Sequence, residues 1–398
     1  MKKLLLSLLM ILMTLSLVAC TAEEPVEEVK DVTLKVWGAQ EDQEMLTGMI
    51  EEFKAANPGT NWTIELGVVG EPDARTKYLE DPEAAADVFA FPNDQVMDLV
   101  NAGALYEVTI NKDAIVAANI QSAVDSATVD GKLYGYPMTA DNGYFMYYDK
   151  SVFTEDDVKS LDKMLEVAQA AGKSVFMDVS NGWYIASFFI GAGNKFEMVD
   201  GKQVLDFNNE TGVKVGEAIK AFTAHPAFLT GDDNILKAGI GTTIAAGVSG
   251  TWNATDISTI LGANYAATKL PEFNLGGVQT QMGSFAGFKL MGVNSLTEFP
   301  EEAMALAEFL TNEANQVKRF ETRKLGPANK NAAQNEAVLA DVALSALAQQ
   351  APYAMSQNNV AGTYWGPAEA FGLALENKDY TMSIQEMLDA LVAQAAGN

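Results

Sequence analysis

Cysteine and histidine are all but missing from this chain: Cys20 is the single cysteine and His225 the single histidine in 398 residues. One thiol excludes an intrachain disulfide, so hydrophobic cores must supply the stability. One histidine without a second thiol excludes a Cys-His nucleophile pair and a His/Cys zinc site. It leaves a Ser-His-Asp triad only if His225 itself serves. Ala224-His225-Pro226 reads instead as a turn closing a helix. Basic residues are scarce too, 26 Lys and Arg against 53 Asp and Glu, for a net charge of −27. So acidic a chain repels polyanions, which argues against nucleic acid and anionic membrane surfaces as partners. The full Gly-x-x-x-x-Gly-Lys-Ser/Thr phosphate loop is absent, since Gly172-Lys173-Ser174 has Val167 where the first glycine is needed, and so is a glycine-flanked serine elbow. Gly239-Ile240-Gly241 lacks the third glycine and the helix of a dinucleotide loop. Gly231-Asp232-Asp233-Asn234 lacks the closing glutamate of a calcium loop and reads as a polar turn. Among enzymes, carboxylate-only mechanisms survive, above all glycoside hydrolysis by two acids at a set separation. With fifty-three acids present, finding such a pair discriminates nothing.

Long apolar runs are limited to Leu4–Val18, about fifteen residues where a membrane span needs ~20. Lys2 and Lys3 precede this run and Leu17-Val18-Ala19-Cys20 closes it, the order of a cleavable export signal. We expect a signal peptide over 1–19 and lipidation of Cys20, whose two acyl chains would hold the protein outside the membrane. Loss of 1–19 removes two lysines and no acids, taking the charge to −29. Residues 20–31, acidic and poor in apolar groups, read as a tether.

The body alternates strand and helix signals. Val32–Trp37 and Trp62–Val69 alternate as strands, with Met45, Met49, Ile50 and Phe53 at helical spacing between them. Asp87–Phe91 reads as a short buried strand and Asp94–Ala102 as a helix before Gly103. This order predicts a parallel sheet with helices on its faces. The pattern then restarts. Gly131–Pro137 runs into an aromatic strand over Gly143–Tyr148, and further strands are expected at Ser174–Met177, Gly241–Val248 and Phe285–Val293. One helix is predicted over Pro300–Lys324, and an alanine-rich helical region over 336–398. The fold class expected is α/β in two lobes, each a mostly parallel sheet flanked by helices, with a ligand cleft between them.

Three tryptophans fall in loops: Trp183 at the start of a helix, Trp252 just after a strand, and Trp365 in Gly362-Thr363-Tyr364-Trp365-Gly366. An indole face offers a flat platform to the apolar face of a pyranose, while acids and amides around it meet the hydroxyl edge. Trp37 and Trp62, in or beside strands, are assigned to the core.

Residues 32–398 resemble a bacterial extracellular solute-binding protein of the family that includes maltose-binding proteins. The segments carrying the resemblance are Asp87–Asp94 with Val100–Leu105, Gly131–Pro137 leading to Tyr147–Lys150, Gly241–Trp252, Phe285–Gly287 through Asn294, and the helix ending in Leu325-Gly326-Pro327. The resemblance implies a sugar site, position by position. Asp94 falls on an aspartate that accepts sugar hydroxyls. Phe91 replaces a stacking tryptophan and Gln95 an arginine. Asp141 or Asn142 falls near a glutamate, and Asn181 replaces a second one. Trp183 stands where the family has a stacking tyrosine, and Trp252 and Trp365 match stacking tryptophans. Gln40 and Glu41 fall near polar contacts, and Tyr364 adjoins Trp365.

The family likeness further implies lobes of 32–139 with 286–327 and of 140–285 with 328–398, crossing near 138–142, 282–287 and 325–330. It implies a monomer that needs neither cofactor nor metal, closes on a maltodextrin-type oligosaccharide, and passes it unaltered to an ABC transporter permease. A sensory receptor in place of the permease would leave the same sequence.

Overall fold

The computed structural model describes residues 30–199 and 202–397. The expected signal peptide, Cys20 and most of the tether lie outside the described residues.

Two sheets organise two lobes. In the first, the strands run in the order Ala354–Ser356, Ser284–Val293, Val88–Pro92, Lys30–Gly38 and Thr60–Val68, and Tyr136–Gly143 also pairs with Ser284–Val293. In the second the order is Phe228–Leu229, Ser174–Phe176, Ile244–Ser249, Phe145–Asp149 and Tyr265–Thr268. The βαβ units predicted from the sequence are parallel: Lys30–Gly38 pairs in register with Thr60–Val68, from Lys30 opposite Thr60 to Gly38 opposite Val68. Both sheets are nevertheless mixed. Ser284–Val293 returns from the other lobe and enters the first sheet antiparallel to Val88–Pro92. Phe145–Asp149 follows directly on a first-lobe strand and pairs antiparallel with both its neighbours.

Each sheet buries its own apolar set. Leu34, Val36, Phe89, Phe91, Leu290 and Leu306 belong to the first core, together with Met49, Ile50 and Phe53 of the helix Gln43–Ala56. Tyr144, Phe188, Phe189, Phe222, Phe285 and Leu388 belong to the second. The helix predicted over Pro300–Lys324 is two helices, Pro300–Leu310 and Glu313–Arg323. Thr311 Oγ1 donates back to the Ala307 carbonyl at 2.8 Å, and Asn312 caps the second helix by accepting from the Asn315 amide at 2.9 Å. Both side chains offer the backbone partners that compete with a continuous helix. The break turns Arg319 into the first lobe and Arg323 toward the interlobe space.

The lobes are joined where strands cross. Tyr136–Gly143 ends in the first sheet and Phe145 begins in the second. Ser284–Val293 carries Phe285 in one core and Leu290 in the other. Beside them the Ala140 amide bonds the Gly326 carbonyl at 2.8 Å. The chain stays with the first lobe beyond 327, because the Ile120 amide donates to Ala328 and the Lys330 amide to Ala118, each at 2.9 Å. A further crossing, not foreseen, is the strand Ala354–Ser356, added beside Ser284–Ala286. It interrupts the region predicted as wholly helical. Among the described residues, no helix is long and apolar enough to cross a membrane.

Candidate ligand-binding site

A cleft of about 630 Å³ separates the lobes. Its first-lobe wall carries Glu41, Asp42, Glu71, Arg75, Asp94, Gln95, Lys289 and Arg323. Its second-lobe wall carries Trp183, Tyr184, Trp252 and Trp365 with Asn181, Asp233, Asn234, Lys237, Asn253, Asp256 and Glu369. Asn142 and Gln357 lie at the hinge end.

The three loop indoles arrive by three local devices. Asn181 caps the helix Gly182–Gly191, its Oδ1 accepting from the Trp183 amide at 3.0 Å, which fixes Trp183 at the helix mouth. Trp252 lies in the single turn Thr251–Asn253, after the buried strand Ile244–Ser249. Its ring covers Gly250, where a Cβ would sit 2.0 Å from the indole, so only glycine leaves room. Trp365 opens the helix Trp365–Glu376. A Cβ on Gly182 would press on Ala368 at 3.0 Å and on the Trp365 carbonyl at 3.2 Å; its absence lets the two helix starts, and hence Trp183 and Trp365, come together. Trp183 and Trp252 are 5.8 Å apart between centroids, inclined at 42°. Phe285 and Tyr364 support Trp365 edge-on, at 5.9 and 5.0 Å. Each of these indoles is partly exposed, toward the same cleft.

The polar groups divide between cleft-facing and structural positions. Asp94 lines the cleft and accepts from Gln357 Nε2 at 3.0 Å. Burial pushes its carboxyl up to about 6, and a backbone hydrogen bond, the nearby Arg75 and the Gln357 amide offset only part of that rise. Asn142 lines the cleft and donates to Gln357 Oε1 at 3.0 Å, so Asn142, Gln357 and Asp94 form one chain from hinge to cleft. Asp141 does not line the cleft. It is 1% exposed and accepts from Thr251 Oγ1 and the Gly326 amide, each at 2.6 Å, tying the two lobes at the crossing. Of the two residues left open by the sequence, Asn142 faces the cleft and Asp141 is a hinge tie.

Three other expectations are corrected. Phe91 is fully buried among Phe89 and its core neighbours, because Val88–Pro92 is an interior strand with every residue buried; it offers no platform to the cleft. Tyr364 is fully buried and donates to the Gly182 carbonyl at 3.0 Å, so it supports Trp365 from behind. Gln40 is exposed and does not line the cleft, whereas Glu41 and Asp42 of the same helical turn do. Gln95 lines the cleft but donates to the Pro72 carbonyl at 2.7 Å and accepts from the Arg75 amide.

Sequence reasoning missed a set of charges on the cleft walls. Lys289 Nζ lies 3.6 Å from Glu71, both nearly buried. Burial disfavours both charges, yet mutual attraction prevails: the Glu71 carboxyl is held below its ordinary range and the Lys289 ammonium above its own. Asp42 accepts from Arg323 Nε at 2.9 Å and pairs with buried Arg319 at 3.9 Å. Asp233, inside the sequence taken for a polar turn, starts the helix Asp233–Gly239 and accepts from Trp252 Nε1 at 2.9 Å. The signal for Lys289 was legible: it is the only charge in the apolar strand Ser284–Val293. His225 sits where the sequence placed it, at the end of the helix Glu210–Ala224, accepting from the Ala227 amide at 3.1 Å.

Two α/β lobes, with indole faces on one wall and carboxylates and amides on both, define a clamp for a small polar solute. The chain belongs to the bacterial extracellular solute-binding protein family, whose model matches residues 48–346. It is 29% identical over 384 residues to the galactooligosaccharide-binding protein of Bacillus subtilis, covering 90% of this chain and 88% of that one. It is 25% identical over 338 residues to the maltodextrin-binding protein MdxE of the same organism, covering 80% and 78%. A solved structure described as being with acarbose matches at a TM-score of 0.83 and 31% identity, over 92% of this chain and 99% of that one.

Proposed function

We propose that this protein binds a neutral oligosaccharide of the maltodextrin type between its lobes and delivers it unaltered to an ABC transporter permease. The observation carrying this reading is that Trp183, Trp252 and Trp365, from three separate loops, all line one interlobe cleft opposite a wall of hydrogen-bonding groups. Stacking takes the apolar faces of the sugar rings, and Asp94, Glu41, Asn142 and Asn181 take the hydroxyls. A ligand touching both walls favours the closed state over the open one by the contacts made only on closure. A galactooligosaccharide is the second reading, favoured by the 29% identical relative named for that ligand.

The leader 1–19, the lipid on Cys20 and the tether 20–31 would keep a monomer beside its permease. A first lobe of 32–139 with 286–327 is supported by the residues of the first core, with 328–330 added on the hydrogen bonds to 118–120. No chemistry on the sugar is invoked.

Calorimetric titration with maltose, maltotriose, longer maltodextrins, cyclodextrins and β-galactooligosaccharides tests the reading, with mass analysis of each sugar afterwards. Saturable binding of one neutral series, recovered intact, is expected. Shortened products would make the protein a glycoside hydrolase, and no binding by any series would refute the carbohydrate reading.

Affinity should depend on pH through Asp94. A carboxylate accepts sugar hydroxyls and a protonated carboxyl accepts fewer, so binding should be constant above pH ~7 and weaken as the pH falls through about 6. Titration at pH 5 should therefore give weaker binding than at pH 7.5, with about tenfold as the upper bound that one proton titrating at about 6 allows. Asp94→Asn should bind more weakly and lose this dependence. The stability sign is the reverse: the folded carboxyl holds its proton more tightly than the unfolded one. Its contribution therefore becomes more favourable as the pH drops from above 6 toward 4.

A further inference from the structure

All four cations of the cleft are paired with a carboxylate, and Lys289 alone of them also lies over an aromatic ring of the opposite lobe. Arg323, Lys237 and Arg75 are held by Asp42, Asp256 and Asp98 at 2.9, 3.5 and 2.5 Å. Lys289 belongs to the first-lobe sheet, paired there with Pro92 and Thr139, and is only 9% exposed. Its Nζ nevertheless lies 5.7 Å from the ring centroid of Trp252, which belongs to the second lobe. Glu71 at 3.6 Å balances its charge, but an ammonium has three N–H donors, and that separation leaves donor capacity toward the cleft. The Trp252 indole is therefore held twice: at its edge by Asp233 and over its face by a cation from the opposite lobe.

We propose that Lys289 is the positioning and specificity residue of the cleft, a cation that reaches across the lobes to set the tilt of Trp252 and to donate to the hydroxyls of the sugar stacked there. This rests on the carbohydrate reading of the cleft. A cation over an indole face is attracted by the ring quadrupole, more strongly where water is excluded. Donation from a charged group to a neutral hydroxyl is stronger than a neutral–neutral bond and is lost outright with a thioether. Glu71 then acts through Lys289, keeping a buried ammonium charged and in place.

The test compares wild type, Lys289→Met and the double variant Glu71→Gln/Lys289→Met, with maltotriose and a β-galactotriose as probes. The single variant leaves a nearly buried carboxylate unpaired and should be destabilised. The double variant removes both charges of the pair and should be less destabilised than the single one, losing only the share of Arg319's compensation that Glu71 supplies, yet bind the better probe about tenfold or more weakly. A double variant with wild-type affinity overturns the proposal. A second readout needs no sugar: with 5-fluorotryptophan incorporated at all five tryptophans, the ¹⁹F resonance assigned to Trp252 by Trp252→Phe should shift in the double variant while those of Trp37 and Trp62 stay in place. An unmoved Trp252 resonance overturns the positioning role. If wild type binds neither probe, the carbohydrate reading falls, and the ligand-free spectrum still decides whether Lys289 sets the indole.

Discussion

Trp252→Ala is expected to weaken oligosaccharide binding by ~1–3 kcal/mol, by analogy with the loss when an aromatic platform is removed from beneath a stacked nucleobase. The site gives this residue more than a face. Asp233 takes its N–H at 2.9 Å, Gly250 makes room for its ring, and Trp183 leans against it at 5.8 Å. Truncation leaves Asp233 without its indole partner and takes one of the three ring neighbours of Trp183, so Trp183→Ala and Trp252→Ala should combine with less than additive losses. Trp365→Ala should cost a similar amount on its own, its edge-on supports being Phe285 and Tyr364 rather than the other two indoles. Calorimetric dissociation constants for the singles and doubles measure this, with thermal melts near wild type showing that the fold is kept. Unchanged affinity in all three single variants would remove the indoles from the ligand.

The largest stability effect should come from Asp42→Asn. Asp42 is the shared anion of Arg323 at 2.9 Å and of Arg319 at 3.9 Å, and Arg319 is 1% exposed. Burial already holds the Arg319 guanidinium below its ordinary value, opposed by Asp42 and Glu71. Removing the central carboxylate strands a buried cation, which costs ~3–5 kcal/mol in comparable pairs. Arg319→Met should be far milder, because Asp42 keeps Arg323 and a thioether suits the buried site. Urea unfolding followed by circular dichroism would show the midpoint falling well below wild type for Asp42→Asn and moving little for Arg319→Met. Equal shifts for the two variants would contradict the shared-anion arrangement.

Much of this was legible in the sequence, for identifiable reasons. Helical spacing at Met45, Met49, Ile50 and Phe53 and alternation in Val32–Trp37 report directly which face is buried, so those elements stand where expected. The loop tryptophans were recognisable because glycines and polar residues flank them, and all three face the cleft. What failed depends on three-dimensional context. Phe91 lies two residues before a cleft-lining turn, yet the interior strand buries it, a distinction that a motif match does not carry. Asp141 and Asn142 are neighbours with opposite fates because successive residues of a strand point to opposite sides. The cleft charges Glu71, Lys289 and Asp233 come from segments distant in sequence, and among so many acids the two carboxylates carry no local signal. The mixed sheets follow from strands that return across the hinge, which no local pattern announces.

The central claim is best tested by a crystal structure of the protein with the oligosaccharide it binds most tightly in solution. Density for an intact sugar is expected in the interlobe cleft, its ring faces against Trp183, Trp252 and Trp365 and its hydroxyls on Asp94 and Asn142. A sugar lying outside the cleft, a cleaved one, or one held there with no indole against it would contradict the account.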